Sequence, residues 1–233
     1  MRTTEKLFWA DAYTRDFEAR VLSVDGPRVV LDRTAFNPRG GGLVSDTGTV
    51  GGMRVEEVLR QDEDIVHVVT GDHRLEAGNA VRCSLDWERR YRVMKMHTSA
   101  HILSSVVNRE TGALITGNQI TPEESRVDFS LEQFDRDKIT SYVDEVNGII
   151  ARGIAVTSYF LKREEAAAIP GLVKLAKAAP PSVDVLRIVQ IGDVDTQADG
   201  GVHVKNTSEI GRLVGLRAEN KGRSNRRLYF TVA

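Results

Sequence analysis

The feature that most restricts how this chain folds is a change of hydrophobic period near Trp87. Before it, short runs alternate apolar and polar residues between Gly, Asp and Pro punctuation; after it, apolar residues recur at helical spacing. Residues 17–24 lead into Asp25-Gly26-Pro27 and return as residues 28–32, which is a hairpin signal. Further strand patterns lie at 53–59, 65–70 and 80–85. No long helical period interrupts them, so residues 1–88 are expected to form a small antiparallel β-barrel-like domain.

Residues 89–233 read differently. Tyr91, Met94, His97 and His101 fall near one face of a helix that continues toward Gly112. Short strands are expected at 117–120 and 126–129. Ser130-Leu131-Glu132-Gln133 then reads as a capping box, opening a helix whose stripe runs Phe134, Ile139, Tyr142, Val143, Val146, Ile149 and Ile150 to a stop at Gly153. A strand over 154–160, a helical piece over 163–168, a basic alanine-rich stretch over 170–179, a strand over 183–191 and a closing hairpin over 213–219 and 227–232 complete an α+β domain, a sheet with helices on one side.

The formal net charge of −1 gives no global attraction to nucleic acid, so any RNA contact needs a local basic face. The single cysteine, Cys83, excludes an intrachain disulfide framework and fits a reducing, cytoplasmic setting; it sits in an alternating run, where a buried thiol is the expected role. No apolar run reaches the roughly 18 residues needed to span a bilayer, so a soluble chain is expected.

Against that background, His97 and His101 stand four residues apart on a helix, which puts both imidazoles on one face, one turn apart. About a hundred residues on, Asp199-Gly200-Gly201-Val202-His203 offers a third imidazole and an acid beside a flexible turn. Three imidazoles with one further ligand suit tetrahedral zinc, so His97, His101, Asp199 and His203 are the candidate metal set. With one position left to water such a site is hydrolytic; with all four filled it is structural. His67 and His73 lack comparable neighbours and are expected to pack or face solvent. In the β region Gly40-Gly41-Gly42 either makes a flexible loop or lets a ligand approach the backbone, and no Lys-Ser/Thr follows to make it a P-loop.

The order of these segments resembles the AlaX family, free-standing relatives of the editing domain of alanyl-tRNA synthetase. The resemblance runs through Thr34-x-Phe36-x-Pro38-x-Gly40-Gly41-Gly42 with Asp46-x-Gly48, His97-Thr98-Ser99-Ala100-His101, Arg126-Val127-Asp128-Phe129, Gly200-Gly201-Val202-His203-Val204, Asn206-Thr207-x-Glu209 and Asn220-Lys221-Gly222. It implies a trans-editing hydrolase that removes a wrong amino acid, chiefly serine, from tRNA(Ala), with zinc held by His97, His101 and His203. It also implies that Thr34 senses the serine hydroxyl, beside substrate contacts at Gly40, Gly41 and Gly42. Where the synthetase motif carries cysteine this chain has Asp199, which either ligates zinc through oxygen or holds a water in the fourth position; Leu43 replaces the glutamine usual after the glycines, and Asn37 an aromatic residue. Arg89, Arg90, Arg92 and Lys95, with Lys221, Arg223, Arg226 and Arg227, are the candidate phosphate contacts for aminoacylated tRNA(Ala). The readings left open are a non-catalytic tRNA-binding module around a structural zinc and a zinc hydrolase of small esters.

Overall fold

A computed structural model of the chain describes residues 3–132, 136–169, 172 and 183–233. Its contacts divide into two compact units, Met1–Val93 and Met94–Ala233. The division falls inside the long helix Trp87–Thr111, a little beyond the change of period. Among the described residues no helix is long and apolar enough to cross a membrane.

In the first unit six strands pair in a ring: Asp16–Asp25, Arg28–Leu31, Asp64–Val69, Met53–Gln61, Gly48–Val50 and Ala80–Leu85, which returns to Asp16–Asp25. Every neighbouring pair is antiparallel, and closing the ring leaves no unpaired edge to recruit another chain. Alternation supplies the interior from Val29 and Leu31 and from Val81 and Cys83, while Val55 and Val58, three residues apart, are both buried because a register shift between Val55 and Glu57 interrupts the alternation. The ring depends on a strand too short to be read from the sequence, Gly48–Val50, which bridges Ala80–Leu85 and Met53–Gln61. Glycine is required there, because a Cβ on Gly48 would sit 2.1 Å from the Ser84 carbonyl oxygen. A parallel two-residue pairing of Glu5–Lys6 with Arg33–Thr34 fixes the stretch that carries Thr34.

The first unit also corrects one expectation about the basic run. Arg90 is fully buried and is not a phosphate contact. Its guanidinium grips Asp46 from Nε (3.0 Å) and Nη2, and donates to the carbonyls of Ala12 (2.8 Å) and Ala35. A buried carboxylate and several carbonyl oxygens need a many-donor cation, and Arg90 is the side chain the helix start delivers to them.

The second unit holds two sheets where one was expected. Leu213–Asn220, Arg226–Val232, Ser125–Phe129 and Ile115–Gln119 lie in that order in a four-stranded sheet. Val156–Lys162, Val185–Ile191 and Asp195–Ala198 form a separate three-stranded one, because the tight turn after Ile191 sends the chain back beside its own strand. The helix Arg136–Ala151 buries Tyr142, Val146, Ile149 and Ile150. Asn147 clamps it to the four-stranded sheet, donating to the Leu213 carbonyl (3.1 Å) and accepting from the Leu213 N–H (2.8 Å). The expected capping box at Ser130 ends at Gln133, and residues 133–135 lie outside the described residues, as does the basic alanine-rich segment over 170–179 apart from Leu172.

Candidate metal centre

The helix Trp87–Thr111 presents Met94, Met96, Ile102 and Leu103 to the core and turns His97 and His101 toward the chain that follows the three-stranded sheet. That chain reaches them through Asp195–Ala198 and then the Asp199-Gly200-Gly201 turn. Arg187 holds the turn, its Nη1 donating to the carbonyls of Asp199 (3.1 Å) and Gly201 (2.9 Å). The result is one cluster of His97, His101, Asp199 and His203, with all four donor atoms within 4.8 Å of one another.

Each imidazole is held from behind. The His97 Nδ1–H donates to the Val202 carbonyl (3.2 Å) and the His101 Nδ1–H to the Asp195 carboxylate (2.8 Å). The Thr98 hydroxyl gives its hydrogen to the Met94 carbonyl (2.9 Å), so at 3.1 Å the His203 Nδ1–H is the donor to Thr98 Oγ1. With every Nδ1 engaged, the three Nε2 atoms are left facing Asp199, from His97 and His101 at 3.4 Å and from His203 at 3.5 Å.

Those separations test whether a cation fits. Donors about 2.0–2.1 Å from a tetrahedral zinc lie roughly 3.3–3.4 Å apart along each edge, close to the three contacts made by Asp199. The electrostatics agree. Burial pushes His101 down, but hydrogen bonds and charge from Asp195 and Asp199 outweigh it and raise its pKa to about 9. Burial also works against the Asp199 carboxylate, yet His97 and hydrogen bonds to the surrounding rings hold it well below the usual carboxylate range. His203 is driven down, first by burial and then by the neighbouring rings, which keeps it neutral and able to ligate. Three imidazoles and one carboxylate converging on one point are a donor set that suits a metal ion.

Comparison with known proteins gives this geometry a family. Residues 186–229 match the threonyl and alanyl tRNA synthetase second additional domain. The alanyl-tRNA editing protein AlaX-M of Saccharolobus solfataricus is 45% identical over 235 residues, covering 98% of this chain and 99% of its own length. That of Methanosarcina barkeri is 44% identical over 240 residues, with the same coverage. This chain belongs to the AlaX family. The alanine–tRNA ligase of Pyrobaculum calidifontis is 38% identical over an alignment of 241 positions that covers 98% of this chain but 27% of that enzyme.

The other positions implied by the AlaX resemblance sit in the first unit, on the long helix or at the closing hairpin. Thr34 is buried and donates its hydroxyl hydrogen to His67 Nε2 (2.8 Å), since His67 Nδ1 must donate to the Val29 carbonyl (3.1 Å). Thr34 Oγ1 also accepts from the Phe36 N–H at 3.1 Å. Gly40 and Leu43 exchange both backbone hydrogen bonds, and Gly41 (φ 59°) and Gly42 (φ 88°) adopt the left-handed backbone between them. Leu43 packs into the core, and the Asn37 side chain donates from Nδ2 to the Pro38 carbonyl (3.2 Å), while its backbone N–H, which any residue but proline would supply there, donates to Asp46 at 2.6 Å.

Of the remaining basic candidates, Arg89, Arg92 and Lys95 are half-buried on the helix. Arg227 is locked onto Asp128 through Nε (2.6 Å) and Nη2 (2.9 Å), and Arg226 onto its own turn. Lys221, paired with Glu219 at 3.0 Å, and Arg223 are exposed at the hairpin tip. Sequence reasoning missed Asp195, Gln197 and Thr98 behind the ligands and Arg187 behind the turn. Thr98 lay inside the His97–His101 motif and Gln197 two residues before Asp199, but neither carried a signal of its own.

Proposed function

We propose that this protein is a trans-editing deacylase that hydrolyses the aminoacyl ester of mischarged tRNA(Ala), chiefly Ser-tRNA(Ala), at a zinc centre held by His97, His101 and His203, with Asp199 beside the position that water takes when the site is hydrolytic. The observation that carries the reading is the buried three-imidazole, one-carboxylate cluster in a chain related along its whole length to proteins named for alanyl-tRNA editing. When bound, zinc supplies Lewis acidity, which polarises an ester carbonyl and brings the pKa of bound water toward neutrality.

The chain's own residues supply the rest. The three imidazoles give a fixed, mostly dry frame, with side chains 3%, 8% and 4% exposed. Asp199, 19% exposed, marks the open side from which a substrate would approach. The AlaX resemblance implies that Thr34 senses the serine hydroxyl; its own hydroxyl hydrogen is donated to His67, so any such contact uses its oxygen as the acceptor, one that alanine cannot make. Lys221 and Arg223, with Arg89, Arg92 and Lys95, are the residues proposed to meet phosphates, which would make binding salt-dependent despite the near-neutral charge.

A second reading, a tRNA-binding module around a structural zinc, is favoured by one observation: Asp199 supplies a fourth protein donor, and closed four-ligand sites are structural. Single-turnover deacylation of Ser-tRNA(Ala) separates the two. The editing reading expects near-complete loss in His97→Ala and His203→Ala, and wild-type rates in both variants would sink it. Tight tRNA binding by the wild-type chain without deacylation would establish the binding module instead.

A further inference from the structure

The three imidazoles of the cluster are not supported alike. His97 and His203 are backed by neutral acceptors, the Val202 carbonyl at 3.2 Å and the Thr98 hydroxyl at 3.1 Å. His101 alone is backed by a carboxylate, at the shorter distance of 2.8 Å. That carboxylate, Asp195, has a fully buried side chain, and its Oδ2 also accepts from Gln197 Nε2 at 2.9 Å. The backbone is fixed as well. Asp195 pairs with Ile191 across the hairpin, and one turn further along the helix Ser105 Oγ donates to the Val194 carbonyl at 2.6 Å.

We propose that Asp195 is a positioning residue for the metal centre: it holds the His101 proton on Nδ1, turns Nε2 toward the ion, and makes His101 the strongest donor of the three imidazoles. The inference rests on reading the cluster as a metal site and is independent of which ester, if any, is cleaved. Its physical basis is general. A ring nitrogen bound to a carboxylate through its other N–H is oriented, restricted to one tautomer and more basic, and losing such a partner typically costs 10–100-fold in metal affinity. A buried charge is also costly to keep, and the two hydrogen bonds converging on Asp195 Oδ2 offset that cost.

The test measures Zn2+ affinity of the full chain by competition with a chromophoric chelator, for the wild type, Asp195→Ala, Asp195→Asn and Ser105→Ala. Ser105→Ala cuts the neighbouring tie between helix and hairpin without touching His101, so it reports what a merely structural bond is worth. The expected result is a loss of about 10–100-fold in Asp195→Ala, a smaller loss in Asp195→Asn, whose amide oxygen restores a neutral acceptor, and none in Ser105→Ala. Wild-type affinity in folded Asp195→Asn and Asp195→Ala overturns the proposal, as does an equal loss in Ser105→Ala. If Asp195→Ala does not fold, Asp195→Asn carries the decision alone. A wild-type chain that binds no Zn2+ refutes the metal reading and this proposal together, whereas one that binds Zn2+ without deacylating tRNA refutes only the editing reading.

Discussion

Replacing Asp46 with alanine should damage the first unit more than any surface change. The Asp46 and Arg90 side chains are 3% and 0% exposed, so neither charge has water to fall back on. Removing one partner of a buried ion pair costs about 3–5 kcal/mol, because the survivor stays buried and uncompensated. Asp46 also accepts the Asn37 N–H, which the variant leaves unpaired, so the upper half of that range is expected. Both tryptophans of the chain, Trp9 and Trp87, lie in the first unit, so tryptophan fluorescence in urea follows that unit selectively. With a urea slope of about 1 kcal/mol/M, the midpoint should fall by roughly 3–5 M, a large share of a stability of about 5–15 kcal/mol. The double variant Asp46→Ala, Arg90→Met removes both charges and should recover part of the loss, though the Ala12 and Ala35 carbonyls then lack their donor. A midpoint shift below about 1 M in Asp46→Ala would refute the reasoning, since a pair worth so little behaves like a solvated surface bridge.

His67 gives a pH signature in the same unit. Burial, only partly offset by its hydrogen bond to Val29, lowers its pKa from 6.5 to about 4, so the unfolded chain binds the proton first as pH falls. Its contribution is present in full above pH 6.5 and is lost as pH falls toward 4, about 3 kcal/mol in all; urea midpoints at pH 7 and pH 4.5 should differ accordingly, and less so in His67→Gln. For substrate choice, Thr34→Val should lower kcat/KM for Ser-tRNA(Ala) by about 10–100-fold, with Thr34→Ser restoring most of it, and an unchanged rate in Thr34→Val would remove Thr34 from the specificity account.

Much of the architecture is legible in the chain because local patterns are strong. The strand expected at 80–85 coincides with Ala80–Leu85, and the helix read through Tyr91 and His101 runs Trp87–Thr111. The histidine pair is legible for the same reason, since a four-residue spacing on a helix fixes one face without tertiary information. What escapes is whatever depends on partners distant in sequence. Arg90 looks like one more solvated cation in a basic run, and only Asp46, 44 residues away, makes it a core residue. Asp195 carries no local signal either, because it meets His101 across 94 residues through a strand of four. The division of the second unit into two sheets escapes because strand patterns give burial but not pairing partners.

The measurement that bears most directly on the central claim is deacylation by the wild-type chain of Ser-, Gly- and Ala-tRNA(Ala), before and after treatment with a zinc chelator and again after Zn2+ is restored. The account predicts rapid loss of serine, sparing of alanine, inactivation by the chelator with the fold retained, and recovery with Zn2+. Undiminished deacylation after the metal is removed, or equal cleavage of Ser- and Ala-tRNA(Ala), would contradict it.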